Sequence, residues 1–155
     1  MTAMRDDDAA LDFVEELGLL VESEGWMPRI AGRALGWLLL AAEPQCQADL
    51  CEALQASGGA ISSATRLLIS KGLVQKVTRP GDRRTYMKVP PNAWRVMEED
   101  GLQTVRRYRG VADRARAALP KSNATGKANL ARMSEYFGIV EDRMQAVLER
   151  LDTIE

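Results

Sequence analysis

The chain has 155 residues, 46% of them hydrophobic and 28% charged, with a formal net charge of −1 and no histidine. The length fits one globular domain, and the balance is typical of a soluble protein. Histidine is the commonest general base and metal ligand, so its absence argues against the hypothesis that the protein is an enzyme. The sequence also shows no glycine-rich phosphate loop, no metal-ligand cluster and no paired nucleophile and base. We therefore expect no enzyme, no metal and no cofactor.

The apolar segments are too short to cross a membrane. The longest of them, Ala34 to Ala42, is far below the roughly 18 residues that a span needs. The first residues are acidic where a signal peptide would be basic. We expect a cytoplasmic protein with no membrane partner.

Charge is unevenly distributed along the chain. Residues 1–25 hold one basic residue and eight acidic ones, whereas residues 61–90 hold seven basic residues against Asp82 alone. A basic block inside a nearly neutral protein indicates a local surface for phosphate groups.

Two helices are predicted in the first 42 residues. The first runs from about Asp8 to Ser23, and its wide apolar stripe suggests burial on more than one side. The stripe consists of Leu11, Phe13, Val14, Leu17, Leu20 and Val21. A second helix opens at Pro28, which suits a first turn, and reaches about Ala42 before Glu43-Pro44-Gln45 ends it.

Cys46 and Cys51 follow this break. Five helical residues turn about 500°, so the two thiols would point roughly 140° apart on one helix. We interpret both as small buried apolar residues, and a redox switch is the alternative.

A helix-turn-helix followed by a hairpin is predicted between residues 47 and 89. Helices over about 47–55 and 58–71 flank a turn at Ser57-Gly58-Gly59, with Ser57 as N-cap and Gly72 as the left-handed C-terminal cap. Leu73 to Thr78 and Thr85 to Val89 are β-prone, and Pro80-Gly81-Asp82 between them favours a turn. This order is typical of a winged helix.

Two long helices complete the chain. The first covers about Asn92 to Leu119, and Pro120 to Gly126 separates it from the last. The last helix carries an unbroken heptad seam. The seam consists of Leu130, Met133, Phe137, Val140, Met144, Val147, Leu151 and Ile154. It favours a subunit interface, and packing against the preceding helix is the alternative.

The candidate DNA contacts lie in the basic block. Ser62, Ser63, Arg66 and Ser70 fall within an arc of about 100° on the second helix of the pair, opposite its apolar side. Short hydroxyls and an arginine suit a major-groove face, and three serines lower helix propensity for no local gain. A merely solvated face is the alternative. Arg79, Arg83 and Arg84 surround the hairpin turn, where an arginine can enter the minor groove and Asp82 can orient a guanidinium.

At these residues the sequence resembles the MarR family of bacterial regulators. The resemblance runs from Ser57-Gly58-Gly59 through Thr65-Arg66-Leu67-Leu68 and Lys71-Gly72-Leu73-Val74 to Gly81-Asp82-Arg83-Arg84-Thr85-Tyr86. Asp82 and Arg84 match the family's Asp-x-Arg wing motif, and Thr65 joins the candidate contacts through its matched stretch. The stretch from Ala31 to Leu39 is similar to an actinobacterial branch that contains repressors of lipid and drug export pumps. Val89-Pro90-Pro91-Asn92 departs from the family's usual entry to the long helix.

The resemblance implies a mainly α fold with a small β-hairpin: a winged helix-turn-helix with N- and C-terminal dimerisation helices. Residues 28–91 would form the DNA-binding lobe, and residues 1–27 and 92–155 would pair two subunits. A pocket for a small apolar or aromatic effector is also implied; its residues are unknown, and ordinary packing equally explains the wall candidates. These candidates are Trp26, Trp37, Trp94 and Met97.

We therefore expect a sequence-specific DNA-binding transcriptional regulator. It would act as a ligand-responsive repressor on a pseudo-palindromic double-stranded operator, as a homodimer. Two alternatives stay open: a helical interaction or scaffold protein with a vestigial winged helix, and a redox-sensing regulator that uses Cys46 and Cys51.

Overall fold

The computed structural model describes residues 2–154, with side chains from Asp8 onward, so the acidic side chains of Asp6 and Asp7 lie outside the described residues. The chain divides into two compact units, Met1–Ala93 and Trp94–Glu155. No helix within residues 2–154 combines the length and the apolar character that crossing a membrane would require.

The first unit holds four helices and a small sheet. Its elements are α1 (Thr2–Ser23), α2 (Arg29–Leu40), β1 (Gln45–Cys46), α3 (Gln47–Leu54), α4 (Gly58–Ser70), β2 (Gln75–Thr78) and β3 (Thr85–Lys88). The sheet is antiparallel in the order β1-β3-β2. Helix pair, turn and hairpin follow one another as predicted, so the winged-helix order is confirmed. The short strand β1 was not predicted, because two residues carry no readable periodicity.

Helix α1 packs closely on α2 through glycines. A Cβ atom added at Gly32 would lie 2.9 Å from the Cα of Gly18, closer than real Cβ contacts. Glu15 on α1 then bridges to α2, accepting hydrogen bonds from Arg29 (2.9 Å) and Arg33 (2.6 Å). The predicted apolar stripe is only partly covered, because Val14 and Val21 are buried while Phe13 and other apolar residues of α1 stay exposed.

The turn between α3 and α4 falls slightly earlier than predicted. Gln55, with φ of 50°, is the left-handed residue that ends α3, and Gly58 and Gly59 already belong to the first turn of α4. Ser57 is the N-cap as predicted, since its hydroxyl accepts a hydrogen bond from the amide of Ala60 at 3.2 Å. Gly72, with φ of 73°, follows α4 as the predicted left-handed residue. The largest fully buried side chains of this unit include Leu35, Leu50, Leu54, Ile61, Leu68 and Leu73.

The second unit is a pair of helices, α5 (Ala93–Ala118) and α6 (Ala124–Leu151). Asn123 caps α6 by accepting a hydrogen bond from the amide of Gly126 at 3.0 Å. Phe137 of the heptad seam stacks on Tyr108 of α5, with ring centroids 5.1 Å apart. Packing within this helix pair, the alternative weighed from the sequence, thus accounts for part of the seam. Val147 and Ile154 of the seam remain exposed.

Candidate nucleic-acid interface

Helix α4 presents a polar face to solvent. Ser63, Arg66 and Ser70 are exposed and Ser62 is half-buried, while Ile61, Ala64 and Leu68 are buried on the opposite side. The hydroxyl of Ser70 donates to the carbonyl of Leu67 at 2.7 Å, and Nε of Arg66 donates to the carbonyl of Ser62 at 3.3 Å. The terminal nitrogens of Arg66 remain available to a base or a phosphate.

Thr65 does not share this face. Only 7% of the residue is exposed, and its hydroxyl donates to the backbone of its own helix, at the carbonyls of Ile61 (2.9 Å) and Ser62 (3.2 Å). Its place in the candidate set came from the matched stretch and not from its position around the helix. We therefore remove Thr65 from the candidate DNA contacts.

The wing between β2 and β3 begins with a tight turn. The amide of Asp82 donates to the carbonyl of Arg79 at 3.1 Å, and Gly81 adopts φ of 77°. Proline at the second position and a positive φ at the third are the features of a type II turn. The turn brings the carboxylate of Asp82 next to the residues that follow it.

Asp82 is the common hydrogen-bond acceptor of the wing. Its carboxylate accepts hydrogen bonds from the amide of Arg84 (2.9 Å), from Nε of Arg84 (3.1 and 3.2 Å) and from Nη2 of Arg84 (2.8 Å). The hydroxyl of Tyr86 donates to the same carboxylate at 2.6 Å. The orienting role expected for Asp82 matches this geometry. Within residues 8–154, Nη1 of Arg84 makes no hydrogen bond, whereas Nε and Nη2 are held by Asp82.

The pKa values in this cluster favour its charged form. Hydrogen bonds from Arg84, and next from Tyr86, hold the pKa of Asp82 well below its usual range. The bond to Asp82 raises the pKa of Tyr86 and also that of Arg84. Asp82 and Arg84 therefore both keep their charges across the physiological pH range.

The other two wing arginines differ in their surroundings. Arg79 lies over the ring of Tyr86, with its guanidinium carbon 4.0 Å from the ring centroid, and donates to the carbonyl of Pro44 at 3.4 Å. It also lies 3.9 Å from the carboxylate of Glu43. Arg83 is exposed, and its side chain contacts no hydrogen-bond or ion-pair partner among residues 8–154. Arg83 is thus the wing cation most available to a phosphate or a groove.

Sequence reasoning missed two parts of this arrangement. Tyr86 lay inside the matched stretch without a role, and Glu43-Pro44 was read only as a helix break. β3 buries both Tyr86 and Met87, so the usual alternation along a strand gave no signal that singled out the tyrosine. No sequence signal pairs residues 43 and 44 with Arg79, which is 35 positions beyond Pro44.

The two cysteines have the surroundings of packing residues. Cys46 is buried at the start of α3, where its amide donates to the carboxylate of Asp49 at 2.7 Å. Cys51 is half-buried, and both thiols are free. Redox-sensing thiols are usually accessible, so these positions favour the packing interpretation.

Comparison with known proteins matches both parts of the chain. Residues 27–85 match a model described as the MarR family, and residues 92–153 match one described as an MmpR5-like MarR family transcriptional regulator. The HTH-type transcriptional regulator MmpR5 of Mycobacterium tuberculosis is 34% identical over 141 residues, which cover 90% of this chain and 85% of that protein. A crystal structure of a transcriptional regulator shares 33% identity with a TM-score of 0.80, over 94% of this chain and 99% of that one.

The matched proteins are regulators, in agreement with the polar face of α4 and the charged wing. The chain belongs to the MarR family and is a DNA-binding transcriptional regulator.

Proposed function

We propose that the protein represses transcription by binding a pseudo-palindromic operator as a homodimer, with α4 in the major groove and the wing at the flanking minor groove. The observation that carries this proposal is the wing, where Arg83 is free and Arg84 is already oriented by Asp82. A planar guanidinium fits the narrow minor groove of A·T-rich DNA, where negative potential is concentrated. The exposed serines of α4 supply short groups for base edges.

The test is a fluorescence-anisotropy titration with DNA from upstream of the protein's own gene. Arg84→Ala should lower affinity at least tenfold at one fixed salt concentration, about the effect of losing one good contact per subunit. Arg116→Ala is the matched control, because Arg116 is an exposed arginine in the last turn of α5, and sedimentation velocity must show that this variant assembles like wild type. Loss of binding in both variants, or in neither, would contradict the proposed wing contact. A promoter-reporter assay then gives the sign of regulation.

The homodimer is supported by the apolar surface that the single chain leaves uncovered. Leu19 and Leu20 on α1 are 51% and 54% exposed, and Ile139 on α6 is 57% exposed. Apolar side chains that remain this exposed in the single chain are typical of a subunit interface. We propose residues 1–27 and 92–155 as the pairing segments. In sedimentation velocity, Ile139→Glu should shift the protein from dimer to monomer, while the control Glu135→Gln, at another exposed position of α6, leaves it dimeric.

A small apolar or aromatic effector is part of this proposal. Trp26 and Trp94 are 38% and 42% exposed, so both indoles can report on a ligand that approaches them. A ligand that quenches tryptophan fluorescence and releases the operator at the same concentration would support it. The scaffold alternative predicts instead that duplex DNA is not bound at any salt concentration.

A further inference from the structure

We infer that Tyr86 is a positioning residue for DNA binding: it aligns Arg84 through Asp82 while Arg79 braces its ring. This inference rests on the proposed contact between the wing and DNA. It assigns a part in recognition to a residue that is itself shielded from DNA, since only 3% of Tyr86 is exposed.

The place of Tyr86 in the sheet makes it a rigid support. It lies on the central strand β3, opposite Val77 of β2 and Cys46 of β1. Both edges of its backbone are therefore paired, and its side chain is enclosed. The hydroxyl projects from this fixed base toward the wing turn.

The hydroxyl restrains the carboxylate that holds Arg84. Oδ2 of Asp82 accepts from the Tyr86 hydroxyl at 2.6 Å and from Nη2 of Arg84 at 2.8 Å, so one oxygen joins the two side chains. Without the hydroxyl, the exposed loop would leave the carboxylate freer to rotate. An arginine already held in one orientation loses less conformational freedom on binding, which is how preorganisation raises affinity.

Arg79 closes the other side of the ring. Its guanidinium lies 4.0 Å from the ring centroid, whereas that of Arg84 lies 5.5 Å away. Because Arg79 also reaches Pro44 and Glu43, it links the ring to the segment before α3. The sheet and Arg79 thus hold the ring of the tyrosine, and its hydroxyl is the group that bonds to Asp82.

Tyr86→Phe distinguishes the positioning role from a purely structural role, because it removes the hydroxyl and keeps the ring. We expect Tyr86→Phe to stay folded, with a thermal melt lowered only by the loss of one hydrogen bond, and to bind the operator about threefold to tenfold more weakly than wild type. In an Arg84→Ala background the same change should have little further effect, because coupled residues are not additive. The matched control is Tyr136→Phe, since Tyr136 is 62% exposed and its hydroxyl has no partner among the described side chains.

A second variant and a spectroscopic signal keep the test independent of folding defects. Asp82→Asn should weaken operator binding like Tyr86→Phe, and the two changes together should cost little more than either alone. The bond to Asp82 raises the pKa of Tyr86, so in an absorbance titration the Tyr86 hydroxyl should ionise at lower pH in Asp82→Asn than in wild type, and its contribution should be missing in Tyr86→Phe.

The outcomes distinguish this inference from the proposed function. If Arg84→Ala weakens binding but Tyr86→Phe and Asp82→Asn bind like wild type, the positioning role is wrong and the wing contact stands. Additive losses in the double variants would also overturn it. If Arg84→Ala itself binds like wild type, the wing contact fails, and the role of Tyr86 fails with it.

Discussion

Salt dependence gives the most direct test of how many phosphates the protein neutralises. We count four exposed cations of each chain on α4 and the wing: Arg66, Lys76, Arg83 and Arg84. Among the described side chains the first three have no ion-pair partner, and Arg84 keeps Nη1 unbonded beside Asp82. Arg79, which is also exposed, is left out because its guanidinium lies over the ring of Tyr86 and donates to the carbonyl of Pro44. A dimer would then bring about eight cations to the duplex.

Each neutralised phosphate releases counterions, and the slope of log affinity against log salt is about −0.9 per phosphate. Eight contacts give a slope of about −7, so affinity should fall by about 10⁴-fold between 50 and 200 mM salt. Arg83→Gln removes two contacts per dimer, which should reduce the slope to about −5 and the fall to about 10³-fold.

Fluorescence anisotropy with a labelled operator at five or six salt concentrations measures both slopes. Arg116→Gln is the control, because it removes the same charge from α5 and should leave the slope unchanged. A slope near zero would refute the phosphate contacts altogether. An unchanged slope in Arg83→Gln would show that the free wing arginine does not contact DNA.

Three further predictions concern the packing of the first unit, base preference and acid stability. Gly32→Ala should lower the free energy of unfolding, measured in urea, by about 1–3 kcal/mol, because the added Cβ would lie 2.9 Å from the Cα of Gly18. Gly59→Ala is the control and should not destabilise the protein, because the space around Gly59 is open. Equal stability of the two variants would contradict this packing. Ser63→Ala should lower operator affinity less than the wing variant while relaxing the preference at one base position, as measured by competition with single-base operator variants. Partial burial acts to raise the pKa of Glu15, but its hydrogen bonds with two arginines outweigh this and lower the pKa. Ionised Glu15 therefore stabilises the fold at pH values above 4.5, the ordinary pKa of a glutamate. This stabilisation is lost as the pH falls through the pKa of Glu15 in the folded state. In thermal melts at several pH values, Glu15→Gln should lose less stability at acid pH than wild type. An equal loss in the two proteins would contradict this role of Glu15.

Much of the fold could be predicted from the sequence because it depends on interactions between residues close together in the chain. Ser57 and Gly72 are a helix cap and a left-handed terminus, and both depend only on residues within one turn. The polar face of α4 follows in the same way from the helical period, which places Ser63 and Arg66 away from Ile61 and Leu68. Thr65 was misplaced where a family match was used instead of this period.

The order of the elements, the basic block and the outward face of α4 could all be predicted, since each depends on spacing along the chain. The folded structure was needed to show which wing arginine is held and which is free, because that depends on Tyr86 reaching Asp82 and on Pro44 meeting Arg79. It also decided that part of the heptad seam packs on α5, as Phe137 does on Tyr108. A periodic pattern states that a face must be covered, but the covering surface is chosen by contacts between residues distant in the sequence.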